Sequence, residues 1–174
     1  NKKVNFIFKI KEKKMSENTA ENAATPAIMI NTQYIKDLSL EIPHAPAIFT
    51  KMNKQPSLQV DMNVQWQPLE NSGYNVTLNL ALNGDIDNEK LFILELSYAA
   101  VVTLNLPEEH IDPVLGIEIP RLLFPFARNV ITQCLTEGGL PPFMLNPIDF
   151  AAVYNARKAT ENNQNPAAAA NANS

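Results

Sequence analysis

One cysteine, two histidines and five glycines are all that 174 residues hold of these types. A single cysteine, Cys134, excludes an intrachain disulfide and any zinc site built on a cysteine cluster. It fits a reducing cytoplasm without establishing one. His44 sits between prolines and reads as a surface-loop residue. His110 follows two glutamates, but one histidine with no second nearby makes a poor metal site. Asp85, Asp87 and Glu89 resemble a calcium loop only loosely, because the ligand spacing and central glycine are absent. A solvated hairpin tip is the better reading. No glycine-rich phosphate loop, Walker pattern or nucleophile elbow occurs. No apolar run approaches the ~20 residues of a membrane helix. The Asn75-Val76-Thr77 sequon matters only in a secretory eukaryotic context, which nothing else suggests. We therefore expect no enzyme, no metal and no cofactor.

What is present is alternation. Leu58, Val60, Met62, Val64 and Trp66 are apolar, and every residue between them is polar. Tyr74, Val76, Leu78, Leu80 and Leu82 repeat the pattern, and so do Phe92, Leu94, Leu96 and Tyr98. Residues two apart on a strand share a face, so residues 57–104 predict a sheet with one dry and one wet side. Antiparallel sheets tolerate that arrangement; parallel ones rarely do. An earlier strand spans residues 34–42, with Leu38, Leu40 and Ile42 against Asp37, Ser39 and Glu41. The three prolines and the length of residues 43–56 forbid a tight hairpin and predict a crossover past a neighbouring strand. Tight turns are expected at residues 68–73 and at Asn83-Gly84, making the last three strands a meander.

After Leu104 an irregular, proline-broken stretch is expected to residue 119, with one helical turn opening at Pro107. A main helix follows over residues 120–137. Pro120 suits its first position, and Phe126, Val130, Ile131, Cys134 and Leu135 form its apolar stripe. Cys134 on that stripe reads as a core thiol. Gly138-Gly139 ends the helix. A second helix is expected from Pro147, capped by Asn146, with Phe150, Val153 and Tyr154 inward. Residues 1–28 form an expected disordered extension and residues 159–174 a disordered tail, around one domain at 29–158. Residues 1–14 read as an upstream extension or scar, the alternative being a basic membrane anchor.

Charge is split along the chain. Residues 1–14 hold six lysines and one glutamate, a sum of +5, while the remainder sums to −9. The acidic domain disfavours nucleic acid and favours basic partners. Asp37, Glu41 and Glu95 point to the wet face beside an apolar Ile93. That reads either as an ordinary solvated face or as a flat acidic docking patch with an apolar anchor. The dry face of four ten-residue strands covers roughly 600 Å². A 15-residue helix covers only ~220 Å² of it. A monomer would leave about half exposed, so the face is expected to be shared with other chains.

Three segments carry a family likeness: Tyr34-Ile-Lys-Asp-Leu-Ser-Leu-Glu-Ile-Pro-His-Ala-Pro46, Leu123-Phe-Pro-Phe-Ala-Arg128 and Leu140-Pro-Pro-Phe-Met-Leu-Asn-Pro-Ile-Asp-Phe150. In order and spacing they resemble the SecB protein-export chaperones of bacteria, over about residues 29–158. The resemblance implies an α+β fold: a four-stranded antiparallel sheet with a crossover connection plus two helices. It implies a cytoplasmic homotetramer, a dimer of dimers with the main helices between two sheets. It also implies ATP-independent holding of unfolded precursor proteins and their delivery to the SecA translocation motor. Asp37, Glu41, Ile93 and Glu95 are then the SecA-docking residues. Phe49, Leu58, Val60, Met62, Phe150 and Tyr154 line the client groove, and Leu94, Leu96, Tyr98, Val130 and Cys134 bear on the oligomer interface. Methionine and aromatic side chains suit a site that accepts many sequences. The sequence departs from the family in Ala99-Ala100, where Gly-Gly is frequent, and in a tail whose one acid is Glu161. The competing reading is a binding module of this fold dedicated to one partner, such as a toxin–antitoxin pair.

Overall fold

A computed structural model describes residues 27–164, with side chains to residue 161. The expected disorder of residues 1–26 and 165–174 lies outside the described residues. Strands β1 (Ile28–Glu41), β2 (Ser57–Pro68), β3 (Gly73–Ile86) and β4 (Glu89–Leu104) form one antiparallel sheet in the order β1-β4-β3-β2. The last three make the expected meander. The crossover, with a 3-10 turn at Ala47–Lys51, carries the chain from one sheet edge to the other. Ile48 anchors it and is fully buried.

β1 begins earlier than the expected residue 34. Register shifts between Ile30 and Thr32, and between Ile35 and Asp37, break the period-2 pattern. A bulge adds a residue and swaps the faces beyond it, so Ile28, Ile30, Gln33, Ile35, Leu38 and Leu40 all lie opposite dry-face residues of β4. The β3–β4 turn also differs from expectation. It falls at Asp87-Asn88, whose φ values of 51° and 62° suit a type I′ turn. Asn83-Gly84 lies inside β3, where Gly84 pairs with Phe92. A Cβ on Gly84 would sit 2.4 Å from the Phe92 ring, so the aromatic ring occupies the space glycine leaves. Ala99 and Ala100 pair in continuous register with β3. At the hairpin tip, Glu89 pairs with Lys51 and Asp87 with Lys54, each at 2.6 Å, which ties the crossover to the turn.

Residues 108–137 are helical without a break, in place of the expected irregular stretch. Helix α1 (Glu108–Pro113) runs through a π-helical turn (Val114–Glu118) into α2 (Ile119–Glu137). Pro113 and Pro120, which lack the N–H of a regular ladder, flank this widened turn. Gly139, at φ 76°, ends α2 as expected. The amide of Leu140 donates to the Leu135 carbonyl and that of Gly139 to Thr136, a Schellman closure. Helix α3 (Phe150–Gln164) starts three residues later than Pro147. Its cap is Asp149, whose Oδ1 accepts from the amides of Ala151 and Ala152, and not Asn146. It continues past residue 158, where Arg157 pairs with Glu161 one turn on.

Leu123, Phe124, Ala127, Ile131 and Leu135 bury the inner side of α2 with the leucines of β3 and β4. Phe126, expected on that stripe, is 52% exposed and points outward. Two stripes on α2 repeat every four residues, Leu123, Ala127, Ile131 and Leu135 inside and Leu122, Phe126, Val130 and Cys134 beside them, so spacing alone does not separate them.

Replacing Gly84 with alanine drives a methyl group into the buried Phe92 ring, which itself packs 5.6 Å from Phe143. The expected loss is about 1–3 kcal/mol of stability, read from urea unfolding.

Candidate binding surfaces

Strand register assembles the wet face in rows. Glu41 pairs with Ile93, and Ile93 with Asn83, which faces Gln59. The next row is Ser39, Glu95, Ala81 and Asp61; the next is Asp37, Ser97, Asn79 and Asn63. Cross-strand neighbours lie ~5 Å apart, and Asp37 and Glu41 are ~13 Å apart along β1. The four expected docking residues thus fall within one patch on two adjacent strands. Asp61 joins them from β2, a residue that sequence reasoning left out. Its polar place between Val60 and Met62 marked the face, but only the register puts it in Glu95's row. Asp37, Asp61 and Glu95 surround a shallow depression of about 320 Å³ above Ala81, the small residue between Glu95 and Asp61. Ser97 donates to Asn79 Oδ1 at 2.7 Å within its rim. Asp37, Glu41, Asp61 and Glu95 have no ion-pair partner among the described residues.

The expected client-groove residues separate into three groups. Leu58 and Val60, each 38% exposed, face the loop of Met144, Leu145, Pro147 and Ile148 across an open groove of about 340 Å³. Met144 is 82% exposed on its far side and was not expected there, although it stands within the third family motif. Met62 continues the same strand row, half-buried. Phe49 is exposed on the crossover beside Gly139. Phe150 is 1% exposed and packs edge-on against Phe124 at 5.8 Å. It therefore supports α3 from the core and presents no surface to a client. Tyr154 turns towards the π-helical turn, where its ring leaves no room for a Cβ on Gly116.

Of the residues expected to bear on assembly, Leu94, Leu96 and Tyr98 are buried within the chain, Tyr98 donating to Gln33 Oε1. Any effect on assembly from them runs through the shape of the sheet. Val130 and Cys134 are half-exposed on α2, in line with exposed Leu122 and Phe126. Ile35 and Leu38 of β1 add exposed apolar surface on the dry side. Burial pushes the Cys134 thiol above its ordinary pKa, which keeps it protonated and a poor nucleophile.

A polar cluster fastens α3. Tyr154 donates to Asp112 Oδ2 at 2.6 Å, and Lys158 Nζ lies 2.8 Å from the same oxygen. Arg157 donates to the Val64 carbonyl at 3.0 Å, and its guanidinium stacks 4.8 Å over Trp66. Burial opposes the charge of Asp112, but hydrogen bonds from Lys158 and Tyr154 outweigh it and hold the carboxyl below its ordinary value. The hydrogen bond to Asp112 raises Lys158 against a smaller opposing effect of burial. Among the described residues no group of three His, Cys, Asp or Glu side chains is placed to hold a metal ion, and no helix is long and apolar enough to cross a membrane.

The family model "Preprotein translocase subunit SecB" matches residues 21–161. A protein-export protein SecB of Rhodospirillum rubrum is 46% identical, covering 91% of this chain and 98% of that protein. The protein of the same name from Paramagnetospirillum magneticum is 48% identical, covering 86% of this chain and 97% of its own length. Among solved structures, the Mycobacterium tuberculosis SecB-like chaperone Rv1957, in complex with a ChAD peptide from the HigA1 antitoxin, aligns with a TM-score of 0.60. It is 15% identical over 70% of this chain and 91% of that one, a likeness of fold alone.

The Asp112 cluster has a defined pH window. A carboxyl depressed in the folded state stabilises fully above its unfolded pKa of about 4, and that contribution goes as pH falls through the lower folded value. A raised lysine contributes fully below its unfolded pKa of about 10.4 and loses the contribution as pH climbs through the higher folded value. Arg157 and Glu161 are the other charges facing the cluster from α3. The fluorescence of Trp66, the one tryptophan, is therefore expected to stay constant across neutral pH and to change only below about pH 4 or above about pH 10.

Proposed function

Because the chain belongs to the SecB family and is a protein-export chaperone, we propose that it works as an ATP-independent holdase serving the SecA motor. Unfolded precursor segments bind in extended form along the groove of Leu58, Val60 and Met144. The acidic wet face, with Asp37, Glu41, Ile93, Glu95 and the added Asp61, docks on a basic surface of SecA. The working particle is a cytoplasmic homotetramer, a dimer of dimers. The exposed stripe of Leu122, Phe126, Val130 and Cys134, with Ile35 and Leu38, supports a buried inter-chain contact. No catalytic step and no cofactor enter this reading.

The observation that carries it is the open apolar groove on the dry side of a sheet whose opposite face is acidic. Client burial drives holding, at ~25 cal/mol per Å² before ordering costs. Backbone pairing at the β2 edge adds affinity without sequence choice. A client thus touches one side of the sheet while the motor grips the other, so both can be bound together.

Two experiments test this reading. Leu58→Asp with Val60→Asp should abolish suppression of aggregation of a denatured precursor, read by light scattering, while sedimentation shows the particle size unchanged. Undiminished holding would refute the groove. Glu95→Lys should weaken SecA binding about tenfold, most at low salt, again without dissolving the tetramer. Unchanged SecA binding would refute the docking face.

A further inference from the structure

The groove at Leu58 and Val60 has its far wall in residues 141–149, which form neither helix nor strand. Among the described residues no backbone–backbone hydrogen bond holds residues 141–148. Pro141, Pro142 and Pro147 have no N–H to offer. Leu145 is 6% exposed and Phe143 packs on Phe92, so these two side chains root the loop in the core. The loop backbone is fastened from α2 by two side chains. Thr132 Oγ1 lies 3.3 Å from the Phe143 carbonyl and 3.0 Å from the Arg128 carbonyl, so one hydroxyl proton serves two acceptors. Arg128 Nη1 donates to the Leu145 carbonyl at 3.5 Å. Arg128 is half-buried yet has no ion-pair partner among the described residues, an unusual setting for a cation. A second cavity lies behind the wall. Pro147 and Ile148 line the groove on one side and, on the other, a space of about 270 Å³ against Arg121, Phe124 and Arg128.

We propose that Arg128 and Thr132 are positioning residues that set the width of the client groove, and with it the size of side chain the groove admits. This rests on the holdase reading for the identity of the occupant. Held by both residues, Pro147 and Ile148 stand forward and the groove is at its narrowest. A bulky client side chain presses the wall back towards the second cavity, which takes it up without displacing Phe124 or Phe150. Retreat draws the Phe143 and Leu145 carbonyls away from their donors. Both contacts sit at the long end of the hydrogen-bonding range, so the resistance is small but real. Neither donor is left bare. The Thr132 hydroxyl falls back on the Arg128 carbonyl, and the Arg128 guanidinium keeps the Phe124 ring 6.0 Å away. The two donors stand on a helix packed against the sheet, while their acceptors belong to a loop without backbone pairing of its own. A small side chain leaves this fastening intact, whereas a large one must loosen it. The pair therefore biases the groove by size without reading sequence.

Thr132→Val removes the hydroxyl at equal size, and Arg128→Met removes the donors but keeps a stem over Phe124. Thr132→Ser keeps the hydroxyl. Each full-length protein is titrated with two extended peptides, one alternating serine with valine, the other serine with phenylalanine. Thr132→Val and Arg128→Met should each raise affinity for the phenylalanine peptide relative to the valine peptide about two- to fivefold. Thr132→Ser should keep the wild-type ratio. General destabilisation lowers both affinities together and leaves that ratio where it was. Without a client, chymotrypsin cleavage after Phe143, followed by mass spectrometry, should be faster in Thr132→Val and Arg128→Met than in the wild type. An unchanged ratio would overturn the role of the residue replaced. A ratio shifted in Thr132→Ser would trace the effect to bulk and overturn the hydroxyl's part. Unchanged cleavage in both variants would overturn the fastening. If the wild type and every variant bind neither peptide, the occupant falls with the holdase reading, while cleavage still judges the fastening.

Discussion

Antiparallel register is the constraint on which this molecule depends. Each direct pair puts two side chains on the same face, so four strands make rows that face one side of the sheet together. The row Leu40, Leu94, Leu82 and Val60 lies directly beside the row Ser39, Glu95, Ala81 and Asp61 in sequence, yet on the opposite side. A slip of one residue would put carboxylates against α2 and leucines into water. Neither the groove nor the acidic patch exists without that register.

The register was only partly legible in the sequence. Clean alternation in β2, β3 and β4 identified their faces, because nothing interrupts the period over those runs. β1 concealed half its length. Two bulges shift the pattern, so Ile30 and Gln33 occupy the same face at a spacing of three. Asn83-Gly84 was a turn signal by composition, but Phe92 across the strand needs the empty space of a glycine. Asp87-Asn88 accepts the left-handed backbone that a tight hairpin demands. Asp61 shows the same boundary from the functional side. Its face followed from alternation, while its nearness to Glu95 required knowing that Ala81 lies between them.

Helix α2 exposes a different ambiguity. Its residues offer apolar stripes on two flanks, and a single four-residue spacing cannot say which flank meets the sheet. Packing decides. Leu123, Ala127 and Ile131 present compact surfaces to a sheet already filled by leucines, whereas Phe126 stays outside. A lone chain gains nothing from a phenylalanine there. A second copy with the same stripe would bury it, consistent with the uncovered apolar surface of Ile35 and Leu38 on the same dry side. Cys134, half-buried with a raised pKa, suits such a contact chemically, since a protonated thiol packs as a small apolar group.

The two ends of the β2 edge are packed by different chemistry. At Leu58 and Val60 the edge is open among the described residues, and the facing loop supplies Met144 and Ile148, side chains that repack easily. Val64 belongs to the core and Trp66 packs against it, with the Arg157 guanidinium stacked on the indole ring. An open, permanently apolar edge along the whole of β2 would invite other copies to pair with it. The packing of Val64 and Trp66 shortens the length of edge open to such pairing.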